Sequence, residues 1–280
     1  QSAQANLRMV TLDAHALAED FSKAQLKHEI SQSASSEEAT EQTISLEERY
    51  MLLDELLKSN DYQTVERNCT ISLDASDKDG ETSWEIRRTN TLENDLVGGL
   101  MNNLTDPDIL SPEDTILVYL NTLKNMSTEE LGNYLNADSI ISTEDPAKIS
   151  LAEALVKQVH STFDYSIGET TVSGYTATVT ANITTFDSDA ILENYQKELD
   201  TYLASVDAVI DGAQKRYEKS YSLLLEYIEE NTATKTVETT FTLINDGASW
   251  KLEDAGTVFG QALFGTLSSS PVEDNQETNG

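Results

Sequence analysis

Hydrophobic and polar residues alternate in one part of the chain and follow helical spacing in others. In "YTATVTANITTF" every second residue is apolar, and this apolar set is Ala177, Val179, Ala181 and Ile183. A period of two is typical of a strand with one buried face. The preceding "FDYSIGETTVSG" predicts an antiparallel partner strand that turns near Ser173-Gly174.

Three helices are predicted before this hairpin. Ser111-Pro112 supplies an N-cap and a proline at the first helical position, for a helix that runs to about Asn125. Ser127 and Glu130 have the spacing of a capping box at the start of a second, short helix. Pro146 opens a third helix, whose apolar face is formed by Ile149, Ala152, Leu155, Val156 and Val159.

A long helical stretch and a second hairpin are predicted after it. Apolar residues recur every three or four positions from about Ser188 to Glu230, and Gly212 marks a bend or break. The next strand carries Val237, Phe241 and Leu243 on its inward face. It turns at Asn245-Asp246-Gly247 into a strand with Trp250 and Leu252. A short helix follows, from about Val258 to Leu267.

The first hundred residues repeat part of this order. "VTLDAHALAEDFSK" matches "TTFDSDAILENYQK", and "TVE" precedes a hairpin in both places. The matched residues are Asp13 with Asp187, Thr64-Val65-Glu66 with Thr236-Val237-Glu238, Trp84 with Trp250, Gly98 with Gly265 and Leu100 with Leu267. Matches in one order predict a duplication. The first copy has a longer hairpin turn, "DASDKDGETS", and its helical stretch is split by the polar linker "SQSASSEEATEQT".

The first copy has no counterpart of the helices and strand in residues 111–174. We therefore expect an incomplete first unit, in which the sheet face formed by Leu12, Val65, Ile71 and Trp84 lacks part of its cover. The predicted domains are residues 1–104, a first α+β repeat truncated at its N-terminus, and residues 105–267, a second and complete repeat. Residues 268–280 are predicted to be a disordered acidic tail.

The ordered set of motifs resembles the uncharacterised, often duplicated domains of surface lipoproteins from gut Firmicutes. That family is similar to NTF2-like and cystatin-like α+β folds. The resemblance implies two tandem units, each a curved antiparallel sheet packed on helices. It also implies an extracytoplasmic location at a bacterial cell surface, with a signal peptide and a lipid-bearing Cys upstream of Gln1; neither is in this sequence. The family transfers no catalytic residues.

Net charge restricts the kinds of partner. The 280 residues include 50 acidic and 18 basic residues, for a formal net charge of -32. Such a chain repels phosphate backbones and anionic lipid, so we expect no nucleic-acid partner. No run of eighteen apolar residues predicts a membrane span, so we expect no direct insertion of this chain in a membrane. A single cysteine, Cys69, excludes an internal disulfide and favours a buried thiol, and we expect neither a metal nor a cofactor.

Few residues suggest chemistry. His160 ends the third helix close to Phe163 and Tyr165, and is either a general base at a pocket mouth or a helix C-terminal histidine that interacts with the dipole. The acids of the loop from Asp74 to Glu81 suggest calcium, but their spacing around Gly80 does not fit an EF-hand. The tyrosines of the long helix form either an aromatic surface or part of the core; they are Tyr195, Tyr202, Tyr217, Tyr221 and Tyr227.

The resulting prediction is a non-catalytic extracytoplasmic surface protein that binds an unknown ligand or surface partner, or serves as a structural module. One alternative is a small-molecule enzyme of the NTF2-like kind, with a pocket near His160. Another is a secreted adhesin or inhibitor that acts through the long helix. An apolar patch of several hundred Å² on that helix would favour this last alternative.

Overall fold

The computed structural model describes residues 1–34, 44–78, 81–135 and 146–268. It has an α+β architecture with two antiparallel sheets, which confirms the predicted fold class at that level. The strands are β1 (Ser2–Leu12), β2 (Thr64–Lys78), β3 (Glu81–Ile86), β4 (Asp164–Ser173), β5 (Thr176–Phe186), β6 (Thr234–Asn245) and β7 (Trp250–Leu252). Within the described residues, the first sheet has the order β1-β2-β3 and the second has the order β4-β5-β6-β7.

The helices predicted in residues 111–267 are present, although the last, expected from about Val258 to Leu267, lies about three residues earlier. The helices of the described residues are given in chain order. They are α1 (Ala14–Ser33), α2 (Leu46–Ser59), α3 (Asn90–Leu96), α4 (Leu100–Asn103), α5 (Pro112–Asn125), α6 (Thr128–Tyr134), α7 (Pro146–Thr162), α8 (Ser188–Leu203), α9 (Val206–Glu230) and α10 (Ala255–Phe264). A 3-10 turn, Gly265–Ser268, follows α10. The capping box of Ser127 and Glu130 is present at α6, as predicted. The long helical stretch is interrupted at Ala204-Ser205 and again at Gly212, whose φ is 71°.

Contacts divide the chain into two compact units. Of the described residues, the first unit contains 1–29, 44–78, 81–115 and 245–251, and the second contains 30–34, 116–135, 146–244 and 252–268. The predicted boundaries after residues 104 and 267 stay predictions. The linker predicted between α1 and α2 falls mainly on residues 35–43, and the acidic tail on residues 269–280, which lie outside the described residues.

The core of the second unit lies on one face of its sheet. The alternating residues of β5 are at most 2% exposed, as the sequence pattern predicts; they are Ala177, Val179, Ala181 and Ile183. Phe241 and Leu243 of β6 are fully buried, and Phe241 packs against Phe259 of α10 with 5.3 Å between ring centroids. Val237 lies on the same face, as predicted, and pairs with the buried Ile183, but it is itself 44% exposed.

The predicted long turn of the first hairpin is wrong. Instead of a loop, Asp74 to Lys78 continue β2 and pair in register with Glu81 to Glu85 of β3. Cross-strand polar contacts help to hold this extension. Arg87 binds Asp74, with Nε at 2.9 Å from Oδ2, and the Thr82 hydroxyl donates to Asp77 at 2.6 Å. Residues 79 and 80 are outside the described residues.

Both units have an aspartate N-cap where a strand ends and the next helix begins, at β1–α1 and at β5–α8. Asp13 Oδ1 accepts from the amides of His15 and Ala16 at the start of α1. Asp187 Oδ1 accepts from Asp189 and Ala190 in the same way at the start of α8. Because an aspartate N-cap satisfies amides that have no helical partner, it fixes where each helix begins.

A glycine with positive φ packs against each of these junctions. A Cβ at Gly98 (φ 69°) would lie 2.8 Å from Thr11 Oγ1 and 3.2 Å from Ala14 Cβ. A Cβ at Gly265 (φ 56°) would lie 2.4 Å from Ser188 Oγ. Both the left-handed conformation and the close approach require glycine. The matched glycines therefore have matching structural roles.

Register differs between the two sheets by two residues. Leu12 pairs with Thr64, but the residue matched to Thr64 is Thr236, which pairs with Thr184 and not with Phe186. A slip of two residues keeps each side chain on its own face, because the side-chain period of a strand is two. The inward faces of the two sheets can therefore be compared in spite of the slip.

Candidate functional site

His160 is placed where the sequence predicts, in the last turn of α7, and its side chain is exposed. Phe163 is buried beyond it, and its ring centroid is 5.9 Å from that of Tyr165. An exposed imidazole at a helix C-terminus fits the dipole interaction. A general base inside an apolar cavity requires more enclosure than the described surroundings of His160 provide.

Two of the acids that suggested a calcium site, Asp74 and Asp77, bind other side chains. Asp74 forms an ion pair with Arg87, and this guanidinium holds the pKa of Asp74 below its ordinary value. Asp77 accepts from Thr82 across the hairpin. In the described ranges, no group of three or more His, Cys, Asp or Glu side chains could hold a metal ion. Asp79 and Gly80 lie outside those ranges.

Cys69 and the helix tyrosines belong mainly to packing. Cys69 is 6% exposed and lies 3.6 Å from the Met9 sulfur, as expected for a buried thiol. Tyr221 is buried, and Tyr195 and Tyr202 are half-buried. The Tyr195 hydroxyl lies 2.7 Å from Ser220 Oγ, and the Tyr202 hydroxyl donates to Asp211 at 3.0 Å. Tyr195 and Tyr202 join α8 to α9, whereas Tyr217, whose ring centroid lies 4.6 Å from that of Tyr221, is 37% exposed.

The first sheet has an exposed inward face. Leu7 is 40% exposed, Trp84 is 46% exposed and Ile86 is 55% exposed. These side chains lie on the same face as Cys69 and Ile71, which are buried. The expected gap in the cover is therefore present at Trp84 but not at Ile71, which is 8% exposed.

One edge of this sheet has the properties of a strand acceptor. The register of β1 with β2 is unbroken over the 11 residues from Ser2 to Leu12. The Ala75 amide donates to the Gln1 carbonyl at 2.8 Å and the Asp13 amide donates to the Gln63 carbonyl at 2.7 Å, so odd-numbered residues form the hydrogen-bonded pairs with β2. The amides of the even-numbered residues therefore point away from β2. They are Ser2, Gln4, Asn6, Arg8 and Val10.

This side of β1, which we call the free edge, has none of the usual protection. Natural edge strands are protected by proline, lysine, bulges or shortness. β1 contains neither proline nor lysine, and its one charged residue, Arg8, forms an ion pair with Glu66 of β2. Across the described residues, no other strand pairs with it at the free edge.

The other sheet edges are protected. The register of β4 with β5 shifts between Ile167 and Thr170, which is a bulge that includes Gly168 and Glu169. The β3 strand is short and exposed and carries two glutamates, and β7 has three residues. Among the strands described, β1 therefore presents the one long, regular and nearly uncharged edge.

A second exposed surface of the first unit follows α2. No residue of this helix is buried, and Leu46, Tyr50 and Met51 are each about two-thirds exposed, at 67%, 65% and 66%. A groove of about 580 Å³ runs beside it, lined in part by His28, Leu52 and Lys58. Neither this groove nor the one of about 520 Å³ next to it includes His160.

Comparison with known proteins gives little more. No protein-family model and no curated protein matches the chain. A crystal structure of a candidate lipoprotein (ycdA) from Bacillus subtilis subsp. subtilis strain 168 is similar at 12% identity. The match covers 73% of each chain at a TM-score of 0.32. A similarity at this level carries no argument about function. None of the described helices is long and apolar enough to cross a membrane.

The sequence contains a signal for the free edge, where no site was predicted. "NLRMVTL" has a single charge and no proline. These features predict a strand edge without the usual protection. Only the hydrogen-bond register could show which amides are free.

Proposed function

We propose that this chain is a non-catalytic extracytoplasmic surface protein whose first sheet binds an extended segment of a partner protein. The segment adds as an antiparallel strand to the free edge of β1. The observation that carries this proposal is the regular, 11-residue β1 without bulge, proline or lysine. Main-chain hydrogen bonds supply the affinity of such complexes, and side-chain pockets supply their specificity.

The second sheet indicates the chemistry of the segment. There, the edge of β5 that corresponds to the free edge of β1 is paired with β4, "DYSIGETTVS", which is rich in hydroxyl and β-branched residues. A partner strand of this kind has few charges to desolvate at the edge. Leu7, 40% exposed beside that edge, offers an apolar contact to alternate side chains of the segment.

The charge of β1 is compatible with a neutral or acidic partner segment, although the chain as a whole is strongly acidic. The net charge is -32, but β1 carries one charge and that charge is positive, at Arg8. A neutral or acidic protein segment therefore approaches β1 with less repulsion than it would meet elsewhere on the chain.

We also propose that the two units are tandem NTF2-like or cystatin-like repeats of a surface lipoprotein, with its lipid anchor upstream of Gln1. The support is the sequence resemblance, the matched N-caps Asp13 and Asp187, and the matched glycines Gly98 and Gly265. Brief protease treatment of intact source cells tests the location. Loss of the protein from intact cells supports a surface position, and survival until the cells are lysed contradicts it.

A peptide with the sequence of β4, Asp164–Ser173, tests the strand acceptor. We expect the labelled peptide to bind the whole chain saturably, as measured by fluorescence anisotropy. Asn6→Pro should abolish this binding, because proline removes an amide at the free edge. The β1–β2 ladder should survive, because the Asn6 amide points away from β2.

Asn6→Ala is the matched control. It removes the same side chain, including its 2.8 Å hydrogen bond with the Thr70 hydroxyl, but keeps the backbone amide. We expect Asn6→Ala to bind the peptide as the original chain does. Equal binding by Asn6→Pro, or equal binding of a scrambled peptide, would exclude strand addition at β1.

A further inference from the structure

The turn between α8 and α9 exposes a cluster of aliphatic side chains. Leu203, Val206, Val209 and Ile210, which we call the hairpin tip, are 49%, 73%, 78% and 74% exposed. Val206, Val209 and Ile210 have the i, i+3, i+4 spacing that puts side chains on one face of a helix. Val206 and Val209 belong to the apolar residues that recur at helical spacing between Ser188 and Glu230, but both are exposed. The chain turns at Ala204-Ser205, ahead of these two residues.

The backbone beneath the hairpin tip is well braced. Ser205 caps α9 by accepting from the Ala208 amide at 3.3 Å. Arg216 donates to the Ala208 carbonyl at 3.2 Å, and Asp211 accepts from the Tyr202 hydroxyl at 3.0 Å. Exposed aliphatic residues on a braced turn cost little conformational entropy when they bind. The break at Gly212 separates this short segment from the rest of α9.

The charges around the hairpin tip indicate what kind of partner surface can bind it. From residue 200 to residue 211 the chain carries Asp200, Asp207 and Asp211 and no lysine or arginine. Lys215 forms an ion pair with Asp211 at 3.7 Å, and Arg216 reaches the Ala208 carbonyl, so the acidic character of the hairpin tip rests on Asp200 and Asp207. A second copy would bring the same acids face to face, and an anionic membrane would repel them. An apolar surface with a basic rim complements both the aliphatic side chains and the acids.

We propose that the hairpin tip docks into an apolar cleft with a basic rim on a partner protein. The contact is independent of the strand acceptor on β1, because it uses residues of the second unit alone. Aliphatic side chains supply the buried area, and Asp200 and Asp207 fix the orientation through charge pairs at the rim.

A synthetic amphipathic helix with leucine on one face and lysine on the other serves as the probe. We expect it to bind the whole chain saturably, and the double variant Val209→Ser/Ile210→Ser to lose affinity by about tenfold or more. The double variant Val172→Ser/Tyr175→Ser is the control. It removes two side chains that are 55% and 76% exposed on the β4–β5 hairpin, and should not change the affinity.

Thermal unfolding should be nearly the same for both double variants and the original chain, because all four side chains are exposed. Asp207→Asn should weaken binding and reduce its dependence on salt. Three results would overturn the proposal. They are equal affinity of the Val209/Ile210 variant, equal binding of a leucine/glutamate helix, and stronger binding of the chain to phosphatidylglycerol vesicles or to itself.

Discussion

The two sheets differ in how completely they are covered. Ala181 of β5 is fully buried, whereas Leu7, at the corresponding point of β1, is 40% exposed. Trp250 is 6% exposed, whereas the matched Trp84 is 46% exposed. Within the first unit, the Trp250 indole donates to Asp108 Oδ1 at 2.9 Å. Alternation along a strand thus shows which face turns inward but does not show whether anything covers it.

The edges of the two sheets also differ, and again the second sheet is the better protected one. β5 is paired on both sides, by β4 and β6, and the outer strand β4 is interrupted by a bulge. β1 is paired on one side in the described residues, and its register is regular throughout. Since a bulge discourages the addition of another strand, the second sheet is protected where the first is not. This contrast is the reason for placing strand addition on β1.

The largest expected effect concerns the two tryptophans. Trp250→Ala should lower the free energy of unfolding by about 3–5 kcal/mol, because it leaves a cavity and removes the hydrogen bond to Asp108. Trp84→Ala should cost about 1–2 kcal/mol, because nearly half of its surface is already exposed. Urea unfolding followed by circular dichroism measures both. Equal losses would mean that the first sheet is covered as fully as the second.

Truncation of residues on the inward faces gives the next effect. Ile183→Ala, at a fully buried position of β5, should cost about 2–4 kcal/mol. Leu7→Ala in β1 should cost about 1 kcal/mol or less, because little cavity is created at a side chain that is 40% exposed. Urea unfolding followed by circular dichroism measures both losses. A larger loss for Leu7 than for Ile183 would reverse the comparison.

The matched glycines should behave alike, which separates shared local structure from unequal cover. Gly98→Ala and Gly265→Ala should each cost about 1–3 kcal/mol, because each adds a Cβ at positive φ against a neighbouring oxygen. Gly174→Ala is a control with positive φ and no atom within 4 Å of the added Cβ, and should cost less. A negligible loss at Gly98 alone would show that the β1–α1 junction is packed less tightly than the 2.8 Å approach to Thr11 Oγ1 implies.

The smallest effect is the pH dependence of the two capping boxes. Hydrogen bonds from the Ser45 hydroxyl and amide lower the pKa of Glu48, and those from the Ser127 amide and hydroxyl lower the pKa of Glu130. A lowered pKa stabilises the folded state above the unfolded pKa, and this stabilisation is lost as pH falls through the folded pKa. Glu48→Gln and Glu130→Gln should therefore flatten the fall in Tm between about pH 5 and pH 3 slightly and equally.

Sequence patterns predicted the positions of helices and strands better than they predicted which side chains are buried. Alternation located β5, and the capping box at Ser127 located the start of α6, because such signals act within a few residues. The turn expected at Asp74–Ser83 was wrong because acidic residues are also compatible with an exposed strand that pairs across to Arg87. Exposure at Val209 and Trp84 depends on residues distant in sequence, which periodicity cannot supply.

Residue-resolved amide hydrogen exchange of β1 tests the central claim, that its free edge accepts a strand. In the chain alone, the amides of Gln4, Asn6 and Arg8 should exchange much faster than those of Ala5 and Leu7, which donate to β2. Addition of the β4 peptide should slow the even-numbered set and leave the odd-numbered set nearly unchanged. Slow exchange of the even-numbered amides before the peptide is added, or no change afterwards, would contradict the account.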